Sequence, residues 1–247
     1  MAFEHAARRA GARHPAGVDE VGRGALAGPV VSAAVVLPDD DRVIEGLAGV
    51  RDSKTLTAAA RLDLVPLIRA ASLACAIGQA SAAEVDRLGV ARATELSMCR
   101  ALGALKVHPD YLLVDGYPNR LDPRPQRAVV KGDRLVLSIA AASVLAKVWR
   151  DAYMIALASC VPGYGLDRHK GYGTDQHRAA IRDRGPSAWH RLSWDLLGTR
   201  KVQPSLPGLG LEPVWPGAGA ALGQGLRAAT LFSGRTDDWP SRREPRR

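Results

Sequence analysis

The sequence predicts an α/β domain with a mixed sheet. Three observations carry that expectation. Short Val- and Leu-rich runs read as strands, longer segments with helical apolar spacing alternate with them, and Gly- and Pro-bearing turns separate the two kinds. The 247 residues are 47% hydrophobic, enough for one good core and too few for two large domains.

The elements follow in order. Residues 17–21 (GVDEV) form a short apolar run interrupted by Asp19 and Glu20. A glycine-rich turn, residues 22–28 (GRGALAG), leads into residues 29–37 (PVVSAAVVL). That run reads as a buried strand, with Pro29 at its first position, where a missing N–H is tolerated. Thr57 is placed to cap a helix over residues 58–70, and Pro66 is expected to kink or end it. Residues 73–80 form a strand, and residues 82–105 one helix on the spacing of Val85, Leu88, Leu96, Leu102 and Leu105. Residues 111–114 (YLLV) are a compact strand ending at Asp115-Gly116. Residues 128–130 are another, ending at Lys131-Gly132-Asp133. Residues 135–158 are rich in strong helix formers and lack Gly and Pro, so a long helix is expected, and a short one over 175–184. From about residue 199 Pro, Gly and Arg dominate and no period of 2 or 3.6 survives. The division expected is a catalytic domain over 1–198 and a disordered tail over 199–247.

The formal net charge is +9, which favours a polyanionic partner such as nucleic acid or an anionic membrane; a solvated Arg-rich surface is the plainer reading. Cys75, Cys99 and Cys160 are scattered and odd in number. That gives no disulfide framework and no zinc spacing, and it fits a reducing cytoplasm. The first residues lack the apolar core of a secretory signal, and no apolar stretch reaches a membrane span, so a soluble cytoplasmic protein is expected.

The chemistry begins with acids where a structural protein avoids them. Asp19 and Glu20 break a strand, and Asp115 ends one, where α/β sheets commonly bind ligands. Alone, Asp115 reads as an ordinary Asp-Gly turn. The long helix adds a stripe: Ser143, Lys147 and Asp151, at i, i+4 and i+8, share one face. That stripe is also what the wet side of a surface helix looks like, but the surrounding SIAAASVLAKV leaves little room for a wet side. If Asp19, Glu20, Asp115 and Asp151 converge, their mutual repulsion calls for a divalent cation. Oxygen donors without His or Cys select Mg²⁺ or Mn²⁺, and two such ions suit a phosphodiester. One geometric condition applies. Neighbours on a strand point to opposite faces, so the strand must end, bulge or twist at Asp19–Glu20, and Gly22 and Gly24 make that feasible.

The 22–28 turn lacks the dinucleotide spacing and precedes a strand where that fingerprint needs a helix, so a Rossmann reading is rejected. Two glycines around Arg23 can still bring backbone groups close to a sugar or phosphate, although by themselves they read as a hairpin. In residues 169–174 (HKGYGT) Tyr172 stands beside cations as a stacking platform, or packs as most tyrosines do.

Six motifs in order, GVDEVGRGALAGPVVSAAVVLP, DSKTLT, YLLVDG, VVKGDRLVLSIAAASVLAKVWRDAYM, PGYGLDRHKGYGTDQH and GPSAWHRLSW, together resemble the ribonuclease HII family and span residues 17–194. The resemblance implies a ribonuclease H-like fold and an endonuclease acting on the RNA strand of RNA/DNA hybrids. It also implies cutting 5′ of ribonucleotides embedded in DNA, leaving 3′-hydroxyl and 5′-phosphate ends. It implies a site of four carboxylates (Asp19, Glu20, Asp115, Asp151) holding two ions, Mg²⁺ or Mn²⁺. By the same resemblance Gly22, Arg23 and Gly24 sense the ribose 2′-hydroxyl through their backbone and Tyr172 stacks on the following sugar. Lys54, Ser143 and Lys147 lie near phosphates. Ala25, Gly173 and Trp194 depart from the family's usual Pro, Pro and Phe, which leaves the turn and the tyrosine less rigid.

Two neighbouring readings are set aside. The sister type, ribonuclease HIII, brings a long N-terminal domain where this chain has only a short stretch before Val18, and a catalytically dead binding module would lack a carboxylate. A monomer is expected. In the tail, basic residues outnumber acids, and residues 228–232 (AATLF) faintly resemble the Leu-Phe ending of sliding-clamp-binding peptides without their leading glutamine.

Overall fold

The computed structural model describes residues 1–50 and 57–198, so Lys54 and the 199–247 tail lie outside the described residues. The elements are α1 (Ala2–Arg9), β1 (Pro15–Val21), β2 (Val30–Val36), α2 (Arg42–Gly46), a 3-10 turn (Ala48–Val50), α3 (Ala58–Ala71), β3 (Ala74–Ala80), α4 (Ala82–Leu88) and α5 (Val90–Gly103). β4 (Tyr111–Asp115), β5 (Gln126–Val129), α6 (Gly132–Leu135), α7 (Leu137–Cys160), α8 (Leu166–His169) and α9 (Asp175–Arg184) complete them. The strands form one sheet in the order β3-β2-β1-β4-β5. β1 pairs antiparallel with β2, and β2 with β3; β1–β4 and β4–β5 are parallel. The mixed sheet expected from the alternation of strands and helices is present.

β2 explains why its sequence is apolar throughout. Ala33 and Val35 face the core built with α3 and α7, through Val65, Ile68, Val144 and Leu145. Ala34 and Val36 face the opposite core, with Met98, Ala101 and Leu102 of α5. A strand covered on both faces has no polar side to show. α7 lies across β1 and β2, α5 across β2 and β3.

Several expected boundaries move. The helix foreseen over 82–105 is two, because Gly89 between them adopts φ +77°, a left-handed conformation outside the helical range. The Thr57 hydroxyl caps α3 by accepting from the Ala60 N–H (3.2 Å). Pro66 does not end that helix, which runs to Ala71; buried Val65 and Ile68 on either side anchor it to the core. The long helix begins at Leu137, after α6 and an extended Val136, and β5 starts two residues earlier than expected.

α1 was not foreseen. Its Glu4 is 1% exposed and accepts, through Oε1, both the Ser138 N–H and the Ser138 hydroxyl at 2.8 Å. A carboxylate from the first helix therefore caps the start of α7, 134 residues away in sequence.

Candidate active site

The parallel pairing of β1 with β4 stops at Val18↔Val114. Val18 and Val114 both pack on the α5 side. By alternation the next residue of each strand, Asp19 and Asp115, turns to the α7 side. Ser143 and Lys147 of α7 meet them there, in a cavity of about 290 Å³ lined by Asp19, Glu20, Val21, Arg61, Asp115, Ser143 and Lys147. The α7 stripe read from sequence is real: Ser143, Lys147 and Asp151 are half-buried on a helix otherwise largely buried over its first half. Asp151 is not part of the cavity wall. It joins the site through Lys147, whose Nζ donates to its Oδ1 at 2.7 Å.

Glu20 reaches the same cavity, and of the end, bulge or twist expected there no bulge is present. The β1–β2 register runs unbroken through Glu20↔Ser32 and Val21↔Val31. What ends is the pairing with β4, so Glu20 sits on a strand whose other edge is open.

The electrostatics are those of crowded acids. Asp19, 6% exposed, has its pKa raised to about 8, first by burial and then by Glu20, with Asp115 adding; a hydrogen bond from Ser143 and the Glu20 N–H (2.7 Å) oppose the shift. Burial also raises Glu20, while the Arg23 guanidinium, 3.0 Å from its Oε1, pulls it down. Asp115 is held by the Gly132 N–H, which donates to Oδ1 at 2.7 Å; Lys131, at φ +58°, turns the chain to deliver it. Among the described residues no three His, Cys, Asp or Glu side chains are gathered as a finished metal cage.

The glycine loop lies immediately beyond β1. Gly22 has φ +86°, and a Cβ there would meet Arg150 Nε at 2.1 Å, so only glycine fits. Tyr172 joins the loop by an antiparallel bridge with Ala25, and Leu26 N–H donates to Gly171 O at 2.8 Å. The Tyr172 ring lies 5.4 Å from the Arg150 guanidinium. Ala25, where proline was the family habit, donates its N–H to Gly22 O (3.3 Å), a bond proline could not make.

Sequence reasoning missed five contributors. Arg61 of α3 lines the cavity. Arg150 and Arg191 are each fully buried beneath the loop, donating to backbone carbonyls. His177 and His190, also buried, share an Nε2–Nε2 hydrogen bond at 3.1 Å behind Tyr172. The one available signal was Arg150 itself, a charge inside an apolar helix and off the Ser143–Asp151 stripe.

A mixed sheet whose strand ends gather acidic side chains beside one long helix is the arrangement of a ribonuclease H-like nuclease. The structure superposes on the ribonuclease H2 of Pyrococcus horikoshii OT3 with a TM-score of 0.63 at 26% identity, covering 74% of this chain and 95% of that one. It also superposes on the chain in a PCNA:RNase HII complex from Archaeoglobus fulgidus (TM-score 0.62, 26% identity, 73% and 95% covered). The sequence model of ribonuclease HII matches residues 16–197. The ribonuclease HII of Trichodesmium erythraeum (strain IMS101) is 52% identical over 194 residues, 77% of this chain and 89% of that protein. The chain belongs to the ribonuclease HII family, a family of endoribonucleases.

Proposed function

We propose that the protein hydrolyses the RNA strand of RNA/DNA hybrids and cuts on the 5′ side of ribonucleotides embedded in duplex DNA, in the service of ribonucleotide removal. The observation that carries this reading is the meeting of Asp19, Glu20 and Asp115 in one cavity with Ser143 and Lys147. A carboxyl raised by burial and by the neighbouring Glu20 and Asp115, among side chains that offer a cation only oxygen donors, fits a hard divalent cation. Asp19, Glu20, Asp115 and Asp151 would hold two such ions, Mg²⁺ or Mn²⁺. Bound there, they supply Lewis acidity at the phosphate and an acidified water.

The chain's own groups do the rest. Ser143 and the Gly132 N–H orient Asp19 and Asp115. Lys147 neutralises Asp151 and stands where a phosphate would approach. The loop at Gly22, Arg23 and Gly24 meets the sugar, and Tyr172, stacked beside it, meets the next one. Lys54 joins the phosphate contacts.

We assign catalysis to residues 1–198 as a monomer in the cytoplasm; among the described residues no helix is long and apolar enough to cross a membrane. Residues 199–247 serve as a cationic arm. The PCNA complex of the Archaeoglobus fulgidus relative supports a sliding clamp as a partner for its 228–232 segment.

The deciding experiment is incubation of a DNA duplex carrying one ribonucleotide, with and without Mg²⁺ or Mn²⁺. The expected result is metal-dependent cleavage to 3′-hydroxyl and 5′-phosphate ends. A 2′,3′-cyclic phosphate would mean that the 2′-hydroxyl is the nucleophile and would overturn the reading.

A further inference from the structure

Two buried guanidiniums underlie the glycine loop, and among the described residues neither is in salt-bridge contact with a carboxylate, although Asp151 and Asp86 act on them from farther away. Arg150 donates to the carbonyls of Ala27 (3.2 Å), Pro29 (3.0 Å) and Lys170 (3.0 Å). Arg191 donates to Gly22 O (2.7 Å), Arg23 O (2.6 Å) and Gly28 O (3.0 and 3.2 Å). The Trp194 ring lies 5.0 Å from it. Burial and the nearby Arg150 lower the Arg191 pKa to about 9, which leaves it charged at neutral pH.

Burying two like charges within reach of each other is costly. Neutral donors would hold a loop at lower cost, so the charge itself calls for a role. The peptides of the described residues are trans, so the C=O and N–H of one peptide point in opposite directions. With the Gly22 and Arg23 carbonyls turned down to Arg191, the N–H groups of Arg23 and Gly24 must turn away from it. Both residues are exposed, and neither N–H has an acceptor among the described residues. A charge-assisted bond accepted at the carbonyl also strengthens the N–H of the same peptide as a donor.

We propose that Arg191 is a positioning residue that sets the discrimination between ribose and deoxyribose. From beneath the loop it orients and polarises two peptides so that their N–H groups stand ready to donate to a sugar hydroxyl. This rests on the substrate reading above and adds the group that makes the loop selective.

The test uses the full chain without divalent metal, so that no strand is cut, and measures binding to a duplex with one ribonucleotide and to its all-DNA counterpart. The wild type should prefer the ribonucleotide duplex. Arg191→Lys, which keeps the charge but loses the planar fork, should lose about tenfold of that preference, on the scale of one hydrogen bond, with affinity for the all-DNA duplex unchanged within about twofold. Equal weakening on both duplexes, or an intact preference, would reduce Arg191 to a structural role. A wild type with no preference would overturn the substrate reading, and this proposal with it. Should the variant not fold, the amide resonances of Arg23 and Gly24 in the wild type carry the test. They should shift downfield with the ribonucleotide duplex and not with all-DNA, and identical shifts would refute the assignment.

Discussion

Glu4→Ala should cost about 3 kcal/mol, a large loss for a side chain in the first helix. Its Oε1 accepts two bonds at 2.8 Å from Ser138 while almost wholly buried. Hydrogen bonds to a charged group contribute about 1.5–3 kcal/mol each, and the stranded Ser138 N–H would lose its partner at the start of a 24-residue helix. Against this stands Glu4 Oε2, buried without a hydrogen-bond partner, which lowers the net from the upper end of that sum. For a domain of this size about 3 kcal/mol lowers Tm by roughly 6–12 °C. Glu4→Gln keeps one acceptor oxygen and should lose about 1 kcal/mol. Calorimetry and urea titration of both variants measure this. A loss below about 1 kcal/mol for Glu4→Ala, or equal losses for the two variants, would refute the capping argument.

Four further outcomes are expected. Asp115→Asn should keep its fold, since Gly132 N–H retains an acceptor, but reduce kcat by about a thousandfold, the scale of several kcal/mol of lost charge stabilisation; steady-state rates and a melting curve measure both. Tyr172→Ala should damage cleavage at single ribonucleotides more than on long hybrids, which offer other registers; equal losses in the two kcat/KM values would mean that the ring only supports the fold. His177 and His190 have pKa values pushed by burial to about 4, below the usual 6.5, so the unfolded chain binds protons that the folded one refuses. Their stability contribution is full above about pH 6.5 and lost as pH falls towards 4, and His177→Gln should flatten that part of a Tm-against-pH profile. Truncation after Gly198 should raise KM at low salt and flatten its salt dependence while sparing Tm, and an unchanged salt slope would dismiss the tail as a nucleic-acid contact.

The parts of this protein legible in its sequence are those where local chemistry contradicts local burial. Asp19 and Glu20 inside an apolar strand, and Ser143 and Lys147 at helical spacing inside an alanine run, could be read because each violates the pattern around it. The sheet was legible from β2, whose unbroken apolar run demands two covered faces. Gly89 escaped because apolar spacing continues across it, and spacing does not report a φ of +77°. Arg150 and Arg191 escaped for a deeper reason. Arginine is expected outside, and although Arg150 stands out as a charge inside an apolar helix, what draws these two in is a set of backbone carbonyls from a loop remote in sequence, which no side-chain pattern records. Glu4 is the same case, since its partner is an N–H 134 residues away.

Arg150 and Asp151 are consecutive residues on one rigid helix. One is locked under the glycine loop, and the other is tied through Lys147 to the carboxylate cavity. A helix turns 100° per residue, so α7 works as a ruler with two marks, one under the glycine loop and one at the edge of the carboxylate cavity. Neither mark can be moved alone. An insertion or deletion between Lys147 and Arg150 would swing Ser143 and Lys147 about 100° per residue out of register with the Arg150 anchor.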